Sequence, residues 1–512
     1  MNSSKFLFKN TIINYSRMVF TMGVSLYSTR IVLSSLGSLD YGIYNLVAGI
    51  VAMLSFLNSA MSVSTQRYLS FYKGNGDIKT QSDIFINSFF LHIIIGLLVV
   101  SSLEFIGIFL FEFVLKIPVD RFLVAKRLFH FMSATVFFTI VIVPFTALLN
   151  AYENFTMIAI VNVLESVLKL TIAFSVSWVT MDKLTYYGIL TASISVISFL
   201  LYFIYCFKSY TEAQKIFHYF SVKTSILKSL TSFAGWNLFG ALCFLGRTQG
   251  VAIILNVFYG TIINSSYAIS NQVSAQFNFF ASTFMQVINP QIMKQEGSGN
   301  RREMIQLTLV SCKYSFLLMS AICLPTIFEM EFLLKTWLKN IPENTVVFCQ
   351  LILVLVLVNQ LTTGIQSGLQ ATGKIKLYQI FVGSLILLNV PISFWILASG
   401  LPAYNVFIGF IMIEIIACGL RLFFFRLYSG SNYKDYYDKV LKPLSIPLIV
   451  TVLILFLINQ SVLLPYRVFT TYIFTVASLL IAVYFFGLSK QEKMYLSNLF
   501  VNLKSKFLSK NF

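Results

Sequence analysis

Apolar runs of about 20 residues follow one another along the whole chain, and this feature limits the fold more than any other. Each run is long enough to cross a hydrocarbon core about 30 Å thick as an α-helix. Of the 512 residues, 57% are hydrophobic and only 11% are charged. The runs do not alternate in polarity as the strands of a membrane β-barrel do. The sequence therefore predicts an all-α polytopic membrane protein.

The positions of the runs predict about 14 transmembrane helices joined by short connections. Their centres lie near Gly23, Val51, Leu98, Phe138, Val167, Val196, Phe244, Gln276, Phe316, Val356, Leu387, Met412, Ile449 and Val476. The polar, basic N-terminus precedes a run too long for the core of a signal peptide, so we expect an uncleaved first span. No connection is long enough for a catalytic domain.

The distribution of Lys and Arg predicts the orientation of the chain. With the N-terminus in the cytoplasm, these residues are roughly threefold more frequent in cytoplasmic than in external segments. An even number of spans returns the C-terminal tail to the same side. The net charge of +18 is thus interpreted as a signal for orientation and anionic lipids, not for nucleic acid, because it is spread over many short loops.

The two parts of the chain share landmarks in the same order and at nearly the same spacing. The pairs are Gly37 and Gly260, Gln66 and Gln291, and Asn150 and Gln370. Chance reuse of similar loops is the alternative, but the agreement in order and spacing favours a repeat. We therefore expect two six-helix lobes in parallel repeat, residues 1–215 and 216–430, followed by two additional helices and a basic cytoplasmic tail, residues 431–512.

Ionisable side chains inside the apolar runs are candidates for the binding site, because each costs roughly 2.5–3.5 kcal/mol at the bilayer centre. Arg247 lies near the middle of the seventh run, and Arg30 lies in the corresponding first run. If the two halves face each other, both guanidinium groups could hold a phosphate or diphosphate bidentately. Lys313 is a further candidate. Snorkelling to the interface is an equally good account of Arg30 and Lys313.

Polar stripes on the second and eighth runs are candidates for contacts with sugar hydroxyls. They include Asn58 and Gln66 in the first half and Gln272 and Gln276 in the second. Hydrogen bonding between helices is the alternative, and the sequence favours neither.

Four further charged residues inside the runs are candidates for ion coupling. Glu165 and Lys169 are spaced i, i+4 and could neutralise each other on one helix face. Glu104 and Glu414 are carboxylates that could carry a proton or a sodium ion. A purely structural role is open for all four.

Motifs for metal, cofactor or nucleotide chemistry are lacking in the sequence. The six cysteines form no CxxC pair and are read as small core residues. "GLQATGKI" matches part of a phosphate-binding loop, but Ile375 stands where that loop needs Ser or Thr. No nucleophile motif is present, so we expect a transporter without cofactors or metal rather than an enzyme.

Four segments carry a resemblance to a known family. They are "STRIVLSSLGSLDYGIYNLVAGIV" (Ser28–Val51), "STQRYLSFYKGNGD" (Ser64–Asp77), "NPQIMKQEGSGNRREM" (Asn289–Met304) and "GLQATGKIKLYQI" (Gly368–Ile380). They resemble the polysaccharide transporter branch of the multidrug/oligosaccharidyl-lipid/polysaccharide flippase superfamily, and in particular O-antigen flippases of the Wzx type. The similarity covers essentially the whole chain, and the arrangement of six, six and two helices is also that family's architecture, so the resemblance implies a MATE-like fold.

The resemblance implies a function. Such flippases move undecaprenyl-diphosphate-linked oligosaccharide, the repeat unit of O-antigen, capsule or exopolysaccharide, across the bacterial inner membrane. The family works by alternating access around a cationic cavity, driven by an ion gradient. The implied partners are this lipid-linked oligosaccharide, membrane lipids and, further, polysaccharide polymerase machinery. Arg30 and Arg247 match the family's cationic cavity by position only, and they lie at different depths.

Three alternatives remain open from the sequence. The first is a cation-coupled multidrug exporter of the same fold. The deep basic residues disfavour this alternative, because an exporter of cationic drugs would need carboxylates in its cavity. A flippase for the peptidoglycan lipid precursor shares both fold and charge pattern. A membrane polysaccharide polymerase or ligase ranks below these, because the external loops are short.

Overall fold

The computed structural model describes residues 2–52, 55–115, 117–217, 222–338, 340–461, 466–490 and 492–494. Helices make up nearly all of these ranges, and no β-strand occurs in them. The helices are α1 (Asn2–Ala52), α2 (Ser55–Asn75), α3 (Ile78–Phe109), α4 (Val119–Val141), α5 (Val143–Ala151), α6 (Phe155–Ser175), α7 (Lys183–Ser209), α8 (Thr211–Gln214), α9 (Thr224–Gly297), α10 (Arg301–Phe328), α11 (Met330–Leu338), α12 (Thr345–Gln360), α13 (Thr363–Thr372), α14 (Lys376–Leu387), α15 (Asn389–Ala398), α16 (Asn405–Ser429), α17 (Tyr433–Tyr436), α18 (Lys442–Ser461) and α19 (Tyr466–Ala482).

The described helices confirm an all-α polytopic membrane protein. Eleven of them are long and apolar enough to cross a membrane, or twelve if the bent pair α12 and α13 counts as one span. The long α9, which is one of these candidate spans, consists of two helices on either side of the non-helical Gly260. The count in the described residues is roughly consistent with the predicted number of about 14.

Two glycines set the corresponding bends of the two halves. Gly37 in α1 has φ 78° and ψ 169°, and Gly260 in α9 has φ 74° and ψ −165°. Residues other than glycine rarely adopt a positive φ with an extended ψ. The matched conformations confirm the repeat at this pair of landmarks.

The described residues divide into two compact units. Unit 1 comprises Met1–Leu242, Gln286–Met304 and Gln370–Gln379, and unit 2 comprises Cys243–Met285, Ile305–Leu369 and the described part of Ile380–Phe512. Unit 1 takes segments from both predicted lobes, whereas unit 2 begins at Cys243, so the boundaries after residues 215 and 430 stay a prediction. The predicted basic tail after residue 494 lies outside the described residues.

Each unit has its own apolar core. In unit 1 the ring of Phe145 packs edge-on against Phe85 and Phe89, with centroids 5.5 Å apart in both pairs. A second cluster of unit 1 gathers around Leu128 and Phe129. In unit 2 the rings of Phe348 and Phe407 lie 4.6 Å apart. These cores hold the helices that carry the charged residues described below.

Two glycines of unit 1 allow the ends of α2 and α9 to cross with their backbones in contact; we name this contact the helix crossing. A Cβ atom added to Gly74 would overlap the backbone carbonyl of Lys294, and one added to Gly297 would overlap that of Phe71. Gly74 and Gly297 are separated by the same number of residues in the sequence as Phe71 and Lys294, so the contact is reciprocal.

The helix crossing also fixes the register between the two halves. Its residue pairs have the same spacing as Gly37 and Gly260, the glycines at the two bends. At this spacing Gln291 corresponds to Tyr68 and not to Gln66. The predicted partner Gln66 lies two residues from this position, and its pairing with Gln291 stays a prediction.

Side chains beside the helix crossing anchor each helix to a turn of the other sequence half. Lys294 and Gln291 of α9 both donate to the buried carboxylate of Glu153, a residue with a positive φ of 57°. Arg67 of α2 donates to the carbonyl of Ala371, 3.1 Å away. All these residues belong to unit 1. The two anchors join segments that are far apart in the sequence.

Candidate functional site

Arg247 lies buried in unit 2, with 7% of its surface exposed. Its guanidinium carbon lies 4.5 Å from the ring centre of Phe244 and 5.1 Å from that of Phe410. Among the described residues no ion pair or hydrogen bond engages this guanidinium, and its Nε atom is buried without a partner. Aromatic faces attract a cation but leave its N–H donors unused. Arg247 therefore retains donors for an anionic ligand.

The nearby carboxylate of Glu414 is already engaged by a second arginine. Nη1 of Arg421 lies 2.6 Å from Oε1 of Glu414, and Nδ2 of Asn359 lies 2.8 Å from the same oxygen. Nη1 of Arg421 also donates to Oγ1 of Thr362 at 3.0 Å. Arg421 and Glu414 are 3% and 5% exposed. A buried ion pair with these added hydrogen bonds offsets much of its own desolvation cost.

Arg247, Glu414 and Arg421 together form what we call the arginine cluster. Arg247 and Glu414 interact electrostatically, but the hydrogen bonds of this carboxylate go to Arg421 and Asn359. Two guanidinium groups and one carboxylate leave one positive charge in a largely buried environment. The arrangement suits an anion with several oxygen atoms, such as a phosphate or diphosphate, better than a cation.

The ammonium group of Lys313 has partners in the structure. Its Nζ atom lies 2.5 Å from Oε1 of Glu492 and 3.4 Å from the carbonyl oxygen of Gly487. The hydroxyl of Tyr314 donates to the same carboxylate oxygen, 2.9 Å away. Its assignment to the substrate cavity stays a prediction, and this pairing counts against it, because the charge already has a partner.

The Lys313–Glu492 pair predicts a pH-dependent contribution to stability. Burial opposes ionisation of Glu492, but hydrogen bonds from Lys313, the Ser489 amide and Tyr314 hold the pKa of its carboxyl below the ordinary value. A lowered pKa stabilises the fold above about pH 4.3, the ordinary value of Glu, and this stabilisation is lost as the pH falls further. We expect Glu492→Gln to lower the Tm at pH 7. In thermal unfolding the difference from wild type should stay constant down to about pH 5 and shrink as the pH falls below about 4.3; a difference that persists unchanged at lower pH would contradict the assignment.

The other predicted binding residues lie in both units and have different exposures. Arg30, Gln272 and Gln276 are exposed, and Gln66 is partly buried. Nδ2 of Asn58 lies 3.5 Å from the carbonyl oxygen of Thr139, at the limit of a hydrogen bond, and its Oδ1 has no partner among the described residues. Arg30 and Gln66 belong to unit 1, and Gln272 and Gln276 to unit 2. Their role in binding stays a prediction.

The remaining candidates for ion coupling differ in their partners. Glu104 lies 2.7 Å from Nδ1 of His130. Glu165 is partly buried and Lys169 is exposed, and in the described part of the chain no ion pair joins them. Side chains of an i, i+4 pair can meet on one helix face. These two do not, so neither neutralises the other directly.

Several polar residues inside helices were missed by the sequence analysis. Arg421 lies within α16, and Arg17 lies within α1, where its Nη2 donates to Oε1 of Gln286 at 3.1 Å. His92 is 1% exposed within α3. Arg17 and Arg421 lie near the ends of their apolar runs, where sequence position alone assigns them to a loop. A histidine carries too weak a hydropathy signal to stand out.

The geometry offers no evidence of a metal centre. In the described ranges, no group of three or more His, Cys, Asp and Glu side chains is arranged to hold a metal ion. The cysteines of this part of the chain form no disulfide.

No protein-family model and no curated protein matches the sequence. Solved structures do match the fold. A MATE protein in the straight conformation is 14% identical and gives a TM-score of 0.74, covering 83% of this chain and 96% of that chain. An outward-facing multidrug resistance MATE family transporter of the MOP superfamily is 13% identical, with a TM-score of 0.70 and coverages of 82% and 96%.

A further structure with this fold is a MOP superfamily transporter from Pyrococcus furiosus. It is 14% identical, with a TM-score of 0.68, and covers 82% of this chain and 96% of that chain. It is described as having a binding pocket of reverse polarity, which suggests a different function for that protein. At such low identity these similarities establish the architecture only. The chain therefore has the fold of MATE transporters of the MOP superfamily.

Proposed function

We propose that this chain is a membrane transporter that moves an undecaprenyl-diphosphate-linked oligosaccharide across the bacterial inner membrane. The single observation that carries the proposal is the buried guanidinium of Arg247, for which the described residues supply no carboxylate partner. Glu414 attracts Arg247 but is paired with Arg421, so two buried cations share one carboxylate, and a ligand that supplies a further negative charge offsets the remaining cost. A diphosphate linkage supplies it.

The charge balance of the arginine cluster favours an anionic over a cationic substrate. Glu414, its carboxylate, already accepts hydrogen bonds from Arg421 and Asn359. A cationic drug would therefore meet Arg247 without an available negative charge. The reverse-polarity pocket described for the P. furiosus transporter supports the idea that pockets of different charge occur on this fold.

In the proposed mechanism the two lobes alternate access to the cavity, and an ion gradient drives the cycle. The diphosphate would lie at Arg247, and the lipid tail would stay in the bilayer. Exposed amides such as Gln272 and Gln276 would contact sugar hydroxyls. Arg30 would add a second cationic contact. Amide and hydroxyl contacts are adaptable, which suits an oligosaccharide.

The direct test is the lipid composition of a strain that lacks this protein. We expect undecaprenyl-diphosphate-linked oligosaccharide to accumulate and surface polysaccharide to fall, both measured by mass spectrometry of extracts. An unchanged lipid pool combined with sensitivity to cationic dyes would instead favour a multidrug exporter. Accumulation of the peptidoglycan precursor would favour the flippase for that lipid.

Arg247→Ala is expected to reduce transport about ten- to a hundredfold, the loss that follows when a charged hydrogen bond worth about 1.5–3 kcal/mol is removed. The measurement is complementation of the deletion strain, with the amount of protein in the membrane determined alongside. Arg302→Ala is the matched control, because it removes an exposed arginine of α10. Full complementation by Arg247→Ala would remove the proposed diphosphate contact.

A further inference from the structure

A cavity of about 170 Å³ lies within unit 1, between α2, α3 and the first part of α9. Most of its lining is apolar. The polar side chains that line it are Ser64 and Thr65 of α2, His92 of α3 and Thr231 of α9. A space of this size holds several water molecules when polar groups are present to bind them.

His92 is the ionisable side chain that lines this cavity. Its Nδ1 atom lies 2.6 Å from the carbonyl oxygen of Ser88, one turn earlier in α3. A carbonyl oxygen only accepts, so the hydrogen of the neutral ring must be on Nδ1. The lone pair is then on Nε2, which is buried and has no hydrogen-bond partner among the described residues.

The hydroxyl groups near His92 form hydrogen bonds with groups other than Nε2. Ser64 donates to the carbonyl of Leu230 at 2.9 Å, and Thr231 donates to that of Leu227 at 2.8 Å. The hydroxyls of Thr65 and Ser88 lie 2.9 Å apart and hydrogen bond to each other. Ser88 Oγ in turn lies 3.2 Å from Nδ1 of His92. Polar groups thus fix the ring through one nitrogen and leave the other open.

Among the described residues, no other ionisable side chain lines the cavity. On α3 and the elements packed against it, several ionisable side chains have other partners: Arg67 with the carbonyl of Ala371, Asp83 with Lys223, Lys215 with Ser82, Glu104 with His130, Arg121 with Asp40, Glu212 with Tyr152, and Lys73 with the ring of Tyr152. Lys79 of α3, Asp120, Lys126 and Arg127 of α4 and Lys228 of α9 do not line the cavity. Protonation of Nε2 would therefore change the charge of the cavity from zero to plus one, without a fixed counter-ion.

We propose that His92 binds and releases the proton that couples the transport cycle to the proton gradient, an inference that rests on the proposed transport function. In the step, a proton from water forms the N–H bond at Nε2 and later returns to water on the other side of the membrane. The imidazole is neutral before and after, so the cycle carries one proton and needs no other reactant.

The geometry gives this step a conformational consequence. In the arrangement described, an imidazolium would have a buried N–H without an acceptor from the described protein groups, in a cavity that is mostly apolar. Such a charge is strongly disfavoured. Protonation therefore favours an arrangement in which the cavity opens to water, and loss of the proton favours the packed arrangement again. A proton gradient would therefore drive the protein alternately into the open and the packed arrangement.

The first experiment follows the ring directly and needs no transport substrate. The chain contains three histidines, so His130→Gln together with His218→Gln leaves His92 as the single imidazole. We expect ¹⁵N NMR of the full chain in lipid nanodiscs to show the neutral Nδ1–H form at pH 8 and proton uptake at Nε2 on acidification. A ring that stays neutral throughout the pH range in which a proton gradient accelerates transport would overturn the proposal.

The second experiment measures transport of the lipid-linked oligosaccharide in proteoliposomes with and without an imposed pH gradient. His92→Gln is expected to lose an acceleration of about tenfold, within the range typical of coupling between sites, and to keep transport without a gradient. His130→Gln, the paired and exposed control, should keep the acceleration. Retention of it by His92→Gln would overturn the proposal. If the wild type moves no oligosaccharide, the proposed function fails, and the NMR titration still decides whether His92 takes up the proton.

Discussion

Gly297→Ala is expected to disrupt the helix crossing and to lower the free energy of unfolding by about 3 kcal/mol, the upper part of the range for overpacked sites. The added methyl group would occupy the position of the Phe71 carbonyl. Backbone atoms cannot move aside as a flexible side chain can, so α2 and α9 would have to separate. The measurement is thermal unfolding of the purified protein in detergent.

The control for this prediction is another helical glycine with space around it. A Cβ atom at Gly23 of α1 meets no atom within 4 Å, so Gly23→Ala should leave the Tm unchanged or raise it slightly. Gly74→Ala should match Gly297→Ala, because the contact is reciprocal. The double variant should cost less than the sum of the two, since either one already separates the helices. Wild-type stability of Gly297→Ala would show that the backbones do not touch.

Glu414→Leu is expected to have the larger effect, a loss of about 3–5 kcal/mol in the free energy of unfolding. The substitution leaves Arg421 and Arg247 buried with no carboxylate between them. The loss of stability comes from burying these cations without a counter-charge, and not from the net contribution of the ion pair to the free energy of unfolding. Thermal unfolding of the variant in detergent, at matched lipid content, measures the loss.

Two further variants separate this account from simple loss of packing. Glu414→Leu combined with Arg421→Leu should recover part of the stability, because the second substitution removes one uncompensated charge. Glu331→Ala removes a carboxylate from an exposed pair with Lys335 and should leave the Tm essentially unchanged. A double variant less stable than Glu414→Leu would contradict the charge explanation.

Much of the architecture could be predicted from the sequence, because each span carries its own local signal. Runs centred near Gly23, Val196 and Met412 all lie within helices of the structure. The bend at Gly260 could be predicted because Gly37 holds the corresponding place in the first half. The burial of Arg247 followed from its place in the middle of an apolar run. In each case the information lies in the order of residues along the chain.

The partners of the charged residues could not be predicted in the same way. Lys313 pairs with Glu492, far along the chain, and Glu153 pairs with Lys294. Such pairs depend on how helices pack, and the hydropathy of one span does not report on its neighbours. Glu414 was predicted to lie inside a helix, but its partner Arg421 was assigned to a loop. One error in a helix end therefore hid the whole ion pair.

The helix crossing also bears on the order in which the chain completes its fold during synthesis. Unit 1 needs Gln286–Met304 for the crossing and Gln370–Gln379 for the anchor of Arg67. At synthesis rates of about 5–20 residues per second, roughly 10–30 s pass between synthesis of the N-terminal lobe and synthesis of the second of these segments. Until then the buried carboxylate of Glu153 lacks Lys294, and the backbone at Gly74 lacks its partner. The N-terminal half would thus keep these groups without their partners until late in translation, and a chain truncated after residue 285 would never complete the helix crossing.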